Sequence, residues 1–187
     1  MHLFYGLFYI IGLISHAQIN PNNIEIVRDD YGVPHIFSKT DAELAYGLAW
    51  AHAEDDFKTI QQGYLAGNSL LSHVEGNKAL GIDFISQFIG SDRLYEKKYL
   101  SDVSEEYKKI LNAYCEGINR FAELHPEQVL SKKLFPINTK SLFLYGQLQL
   151  FVSSKGDFWV KKILKNKLNY EPVKDIVKGS NTFAFNS

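Results

Sequence analysis

The sequence predicts an α+β chain in which a short β-hairpin precedes a mostly helical body, and three observations predict it. Residues 24–29 alternate apolar and polar side chains as a half-buried strand does, and the turn formers Asp30-Tyr31-Gly32 separate them from a second strand at 33–37. From Thr40 onward the apolar residues fall into helical spacing. After the turn formers Gly179-Ser180-Asn181, the run Thr182-Phe183-Ala184-Phe185 returns to strand character. With 187 residues, 45% of them hydrophobic, the chain can bury the core of one domain. Lys and Arg number 20 against 21 Asp and Glu, so no global field attracts nucleic acid or an anionic membrane.

The N-terminus reads as a separate element. Residues 3–14, LFYGLFYIIGLI, form an uncharged apolar run too short to span a bilayer, and Ser15-His16-Ala17 has the small-x-small pattern of a signal peptidase site. The expectation is a signal peptide over 1–17, a mature chain from Gln18, a secreted or periplasmic location and no stable membrane span. A lone cysteine, Cys115, does not make a disulfide framework; beside Tyr114 on an apolar stripe it reads as a buried, inert thiol.

The hairpin follows at once. Pro34 has no N–H to donate, so the second strand belongs at an edge or joins the ladder beyond the proline. Thr40-Asp41-Ala42-Glu43 has capping-box spacing and opens a helix expected to reach about Gln62. Gly63, Gly67 and Gly76 punctuate what comes next. Residues 101–124 read as one amphipathic helix, with Tyr107, Ile110, Leu111, Tyr114, Ile118 and Phe121 at spacings of three and four, stopping before His125-Pro126. Residues 140–153 are nearly all apolar, which predicts a helix buried on most sides. A last helix is expected over 157–168. From 155 to 178 seven lysines face three acids, and 169–178 reads as an exposed connector.

Three polar groupings invite a chemical reading. His52 and Asp56 stand at i and i+4, a spacing that can present two metal ligands on one helix face, although a solvated polar face is the plainer reading. Asp29-Asp30 and Asp55-Asp56 offer paired carboxylates, but adjacent acids in turns and caps usually act locally. His35, following a proline on a strand, reads as a hydrogen-bonded structural histidine.

Two blocks together carry a resemblance. "VRDDYGVPHIFSKTDAELAYGLAWAHAEDD", residues 27–56, resembles the opening hairpin and helix of the penicillin acylase family, which includes the acyl-homoserine-lactone acylases; Asp56 stands where the family pattern has arginine. Gly179-Ser180-Asn181 is similar to the junction at which those precursors cut themselves into a small and a large subunit. The resemblance implies an N-terminal-nucleophile hydrolase, an αββα sandwich to which this chain contributes the helical small subunit and the first catalytic strand. It implies a division into a signal peptide at 1–17, a small subunit at 18–168, a spacer at 169–179 and the start of the large subunit at 180–187. The implied activity is hydrolysis of the amide bond of small N-acyl substrates, absent from this fragment alone, with the large catalytic subunit as partner and no nucleic acid. By the same resemblance Phe151 falls on a substrate-pocket aromatic and Asp157 on a carboxylate that ligates a structural calcium ion; no organic cofactor is implied.

The chemistry of Gly179-Ser180 fits that reading. A serine hydroxyl needs a base, and an N-terminal serine carries one in its own α-amine, which titrates at about 7.7–8.0. That amine exists only once the Gly179–Ser180 bond is broken, so self-cleavage would switch the enzyme on. A noncatalytic surface or interaction protein that keeps the small-subunit scaffold is the alternative.

Overall fold

A computed structural model describes residues 19–165. It divides into two compact units, Met1–Leu150 and Phe151–Ser187, with the division inside a helix. The sequence-predicted turn and strand at 179–185 and the apolar N-terminus lie outside the described residues.

The first unit opens with strands β1 (Glu25–Arg28) and β2 (Pro34–Phe37), an antiparallel pair with Ile26 opposite Ile36 and Arg28 opposite Pro34. Pro34 thus sits at the first position of its strand, where a missing N–H costs least. Asp29 builds the turn: Oδ1 accepts from Tyr31 N and Val33 N, both at 2.9 Å, and Gly32 takes φ +80°, a conformation glycine adopts without penalty. Ile24 and Ile36 lie against α1 (Asp41–Gly67) at Gly47, where a Cβ would come within 2.8 Å of Ile36 Cγ2. A bare glycine is what lets the hairpin lie on the helix.

The capping box of α1 is present in full: Thr40 Oγ1 accepts from Glu43 N, and the Glu43 carboxylate accepts from Thr40 N. The helix runs five residues past the expected Gln62. Gly63 and Gly67 do not end it, because both are sites of close approach: a Cβ on Gly67 would lie 2.6 Å from the backbone of Tyr145. At Asp56 the helix kinks (φ −158°, ψ 71°), and Asp56 Oδ1 accepts from Thr59 N at 3.0 Å, recapping the second half.

The segment 101–124 is two helices, not one. α4 (Ser91–Asp102) ends before Val103, and Ser104 caps α5 (Glu105–Leu124) by accepting from Tyr107 N. Lys108 Nζ donates to Leu100 O at 3.0 Å, placing a cation where the C-terminus of α4 favours one. Tyr107, expected on the apolar stripe, is exposed as a result of this early position, while Ile118 and Phe121 are buried. α5 packs on α1 around Ala49, Ala53, Phe57, Leu65, Cys115, Ile118 and Phe121, with Gly117 against Tyr46 O and Ala49 Cβ. The rings of Phe57 and Trp50 meet Phe121 edge-on at 5.0 and 5.3 Å. The loop 125–138 closes this core with Leu134 and Ile137, and two amides, the buried Gln61 and the half-buried Asn119, hold it: Gln61 accepts from Leu130 N and donates to Gln128 O, while Asn119 both accepts from and donates to Ile137.

Between α1 and α4 lie the short α2 (Ser72–Glu75) and α3 (Leu80–Ile89). α3 is docked by its polar side. Buried Asp83 accepts from Leu71 N and Ser72 N at the start of α2, and Ser86 Oγ donates to Ala66 O at 2.7 Å. Leu80, Phe84 and Phe88 therefore face outward, the two phenylalanines stacked at 6.1 Å. α6 (Thr139–Ser153) begins in the first unit, and the expectation that it is buried on most sides does not hold: Leu148 is buried, but Leu150 and Val152 are exposed. In the second unit, α7 (Gly156–Leu164) starts one residue earlier than expected, and residues 166–168 are not described.

Candidate functional site

The two pocket candidates that are described flank one tight turn. Phe151 lies in the last full turn of α6 and is half-buried; Lys155 adopts a left-handed φ of +60°, and Lys155 N donates to Val152 O at 2.9 Å. Gly156 then opens α7, and a Cβ on it would lie 2.5 Å from Cε2 and Cζ of Phe151. Glycine at 156 thus lets the aromatic ring rest directly on the backbone, which fixes the ring beside the first turn of α7. Asp157 is the second residue of that helix, where a carboxylate is favoured by the helix dipole; its side chain is not described. Gly179 and Ser180 lie outside the described residues.

The hairpin block that carries the sequence motif is held by ion pairs. Arg28 Nη2 pairs with Glu54 at 3.2 Å and Asp55 at 2.7 Å, its Nη1 donates to Gly32 O at 2.8 Å, and Trp50 Nε1 donates to Glu54 at 2.7 Å. The two carboxylates hold the Arg28 guanidinium above its ordinary pKa. One arginine thereby ties the β-turn to α1. Asp29 is kept below the usual carboxylate range, first by the Val33 N–H and then by His35, whose Nε2 lies 3.2 Å from Asp29 Oδ2. His35 is thus a structural histidine, Asp29 and Asp56 each serve a local backbone contact, and Asp55 is spent on the ion pair with Arg28.

His52 and Asp56 do not form a ligand pair. The kink turns Asp56 to Thr59, and His52 Nδ1 lies 3.1 Å from Tyr114 OH. Among the described residues no group of three or more His, Cys, Asp or Glu side chains is arranged to hold a metal. Cys115 is buried, and that burial pushes its thiol up to about 12, as an inert core cysteine requires. Tyr64, buried beside Tyr114 and edge-on to Tyr145, is held protonated by the same desolvation. The motif reading missed this tyrosine cluster; its sequence signal was the Gly63 and Gly67 pair, spaced to admit a large side chain from another helix.

These features match a known family over nearly the whole chain. The profile of the penicillin amidase family covers residues 23–187. The chain belongs to the penicillin amidase family. It is 28% identical over 139 residues to the penicillin G acylase of Escherichia coli, a match covering 68% of this chain and 15% of that protein. It is 24% identical over 173 residues to the acyl-homoserine lactone acylase PvdQ of Pseudomonas syringae pv. syringae (strain B728a), covering 83% of this chain and 22% of that one. The chain therefore spans less than a quarter of the length of these curated relatives. Its fold is similar to that of the thermostable penicillin G acylase from Alcaligenes faecalis, with a TM-score of 0.58 at 17% identity, covering 86% of this chain and 97% of that chain. Within the matched region the hairpin and α1 form the block tied by Arg28, and Asp56 caps the second half of α1 at the kink.

Proposed function

We propose that this chain is the small-subunit portion of a self-processing, secreted acylase that hydrolyses the amide bond of small N-acyl substrates. The observation that carries the reading is a mismatch in length. The likeness of fold covers 97% of one chain in the solved penicillin G acylase, whereas the sequence matches cover only 15% and 22% of two curated relatives. A fold of this size that is one chain in a solved protein and a small part of longer polypeptides fits a precursor divided near residue 180, and the family match runs across Gly179-Ser180.

In this reading Gly179–Ser180 is the processing site, with Ser180 Oγ adding to the Gly179 carbonyl carbon and the Ser180 nitrogen departing with a proton to give an ester. Water then hydrolyses the ester, releasing the Gly179 carboxylate and regenerating the hydroxyl. The freed α-amine serves as base when Ser180 Oγ attacks a substrate amide; the amine product leaves with a proton, and water resolves the acyl-enzyme. The large subunit would supply the remaining strands of the αββα sandwich and the oxyanion donors. Phe151, held against Gly156, would wall the acyl pocket. If calcium is bound, Asp157 would contribute one hard oxygen donor, and no step of the reaction is assigned to the ion. The apolar run ending at Ser15-His16-Ala17 supports export with cleavage before Gln18, and among the described residues no helix is long and apolar enough to cross a membrane.

The test is a comparison of the full-length protein with its Ser180→Ala and Ser180→Cys variants on chromogenic acyl-anilides of different chain length. Loss of hydrolysis in Ser180→Ala, with a slow acyl-enzyme detectable by mass in Ser180→Cys, is expected. Wild-type rates in Ser180→Ala would remove Ser180 from the reaction.

A further inference from the structure

The β-hairpin has two outer edges, and they are not alike. Asp29 N donates to Val33 O at 3.1 Å, and the register continues with Val27 opposite His35 and Ile26 opposite Ile36. Hydrogen-bonded and non-hydrogen-bonded pairs alternate along an antiparallel ladder, so the backbone N–H and C=O groups of Ile26 and Arg28 point away from β2. Those of Pro34 and Ile36 likewise point away from β1. The β2 edge is blunted, because Pro34 has no N–H to offer. The β1 edge keeps both donors and both acceptors, and no backbone or side-chain partner reaches them among the described residues. Beside it runs a cleft of about 540 Å³ lined by Ile24, Ile26, Tyr46, Trp50, Arg120 and Leu124 and by no residue of β2, which places it on the β1 side. The walls are mostly apolar, and the one cation, Arg120, pairs with Glu123 at 3.0 Å. A two-stranded sheet is marginal by itself, and this one presents an unpaired edge next to an apolar cleft.

We propose that the outer edge of β1 receives one strand from the large-subunit part of the same precursor, by β-augmentation. The strand would lie about 4.8 Å from β1 and send every second side chain, about 6.8 Å apart, into the cleft against Tyr46, Trp50 and Leu124. Its other side chains would run beside Val27, which is 45% exposed. An open edge demands extended backbone, and uncharged walls demand apolar side chains, so an acidic or basic peptide does not fit. The sequence matches cover only 15% and 22% of two curated relatives, so a precursor of that length holds the strand in the same polypeptide, at high effective concentration while it folds. A second copy of this hairpin is the poorer occupant. It would bring its own α5 under the extended sheet, into the space where the first α5 already lines the cleft with Arg120 and Leu124. The inference rests on the reading of this chain as one part of a longer precursor and not on the assignment of Ser180.

The experiment is hydrogen exchange of the full-length protein, read by mass spectrometry at single-residue resolution. A second measurement places a benzophenone photo-crosslinking residue at Asn22, which is exposed at the mouth of the cleft. The Ile26 and Arg28 amides are expected to exchange at least about a hundredfold more slowly than free amides. Crosslinks are expected to a segment beyond residue 187 in which apolar residues alternate. Ile26 and Arg28 exchanging as fast as free amides would overturn the proposal, and so would protection of Ile36 without protection of those two. Crosslinks confined to residues 1–187, within one molecule or between two, would also overturn it. The outcome is separable from processing: a protected edge in a protein that stays a single uncut chain would contradict cleavage at Gly179–Ser180 and leave this docking site standing.

Discussion

Gly67 shows how much a single position can carry. Its Cα hydrogens face the backbone N and Cα of Tyr145 at a distance where any β-carbon would sit 2.6 Å away. The obstacle is backbone, so no rotamer change relieves it. Gly67→Ala should therefore destabilise the protein by about 1–3 kcal/mol despite alanine's better helix propensity, as overpacking does. In a thermal melt that is a drop of several degrees; an unchanged or raised Tm would show that α6 does not lie against Gly67. Cys115 gives a chemical test at the same scale. With its thiol pushed up to about 12 by burial, it should resist iodoacetamide at pH 8 in the native protein and react promptly in guanidinium. Its raised pKa favours folding fully below the thiol's unfolded value of about 8.5, and this contribution is lost as pH rises from there through about 12. The inert cysteine was legible from its apolar neighbours, and so was the structural role of His35. The partners of Arg28 were not, because nothing in a run of Glu54, Asp55 and Asp56 says which of the three a distant arginine will select.

Elements were most legible where a local chemical signal sets the boundary. Thr40 and Glu43 announced the start of α1, and the structure has both halves of the box; Thr40→Ala should cost about 1 kcal/mol, seen as a lower urea midpoint with an unchanged slope. Boundaries set by tertiary contacts were misread. Gly63 and Gly67 looked like stops because glycine is a poor helix former, but they remain helical because Tyr145 needs the room. Residues 101–124 looked like one helix because Tyr107 extends the apolar periodicity backwards; the Ser104 cap and the Lys108 contact with Leu100 O divide it. Gly156 belongs to the same class. Gly156→Val would drive a side chain into the Phe151 ring, so under the acylase reading the full-length variant should change its preference among acyl chain lengths more than its rate on the shortest one. Equal scaling on all chain lengths would remove Phe151 from the pocket.

At the scale of the whole molecule, the exposed apolar side chains are the feature the described chain does not resolve internally. Leu80, Phe84 and Phe88 on α3, with Phe37 on the hairpin and Leu100 on α4, all lie more than half exposed. α3 turns its apolar side outward because Asp83 and Ser86 are spent on docking it. A polypeptide comprising residues 18–187 should accordingly bind a hydrophobic dye in its native state and hydrolyse no acyl-anilide, whereas the full-length protein should show much weaker dye binding. A soluble, dye-silent 18–187 fragment with amidase activity would contradict this. The overall class, hairpin then helices, was readable from periodicity because it depends on local patterning. How the polar groups assort into caps, ties and pockets was not, because that depends on which distant backbone atoms arrive beside them. The central claim is that one bond, Gly179–Ser180, is broken by the protein itself to expose its nucleophile. Intact-mass analysis and N-terminal sequencing of the purified full-length protein test it most directly. Two chains, the larger beginning at Ser180, with Ser180→Ala remaining a single uncut chain, is the predicted result; an active single chain, or a larger chain that begins elsewhere, would contradict it.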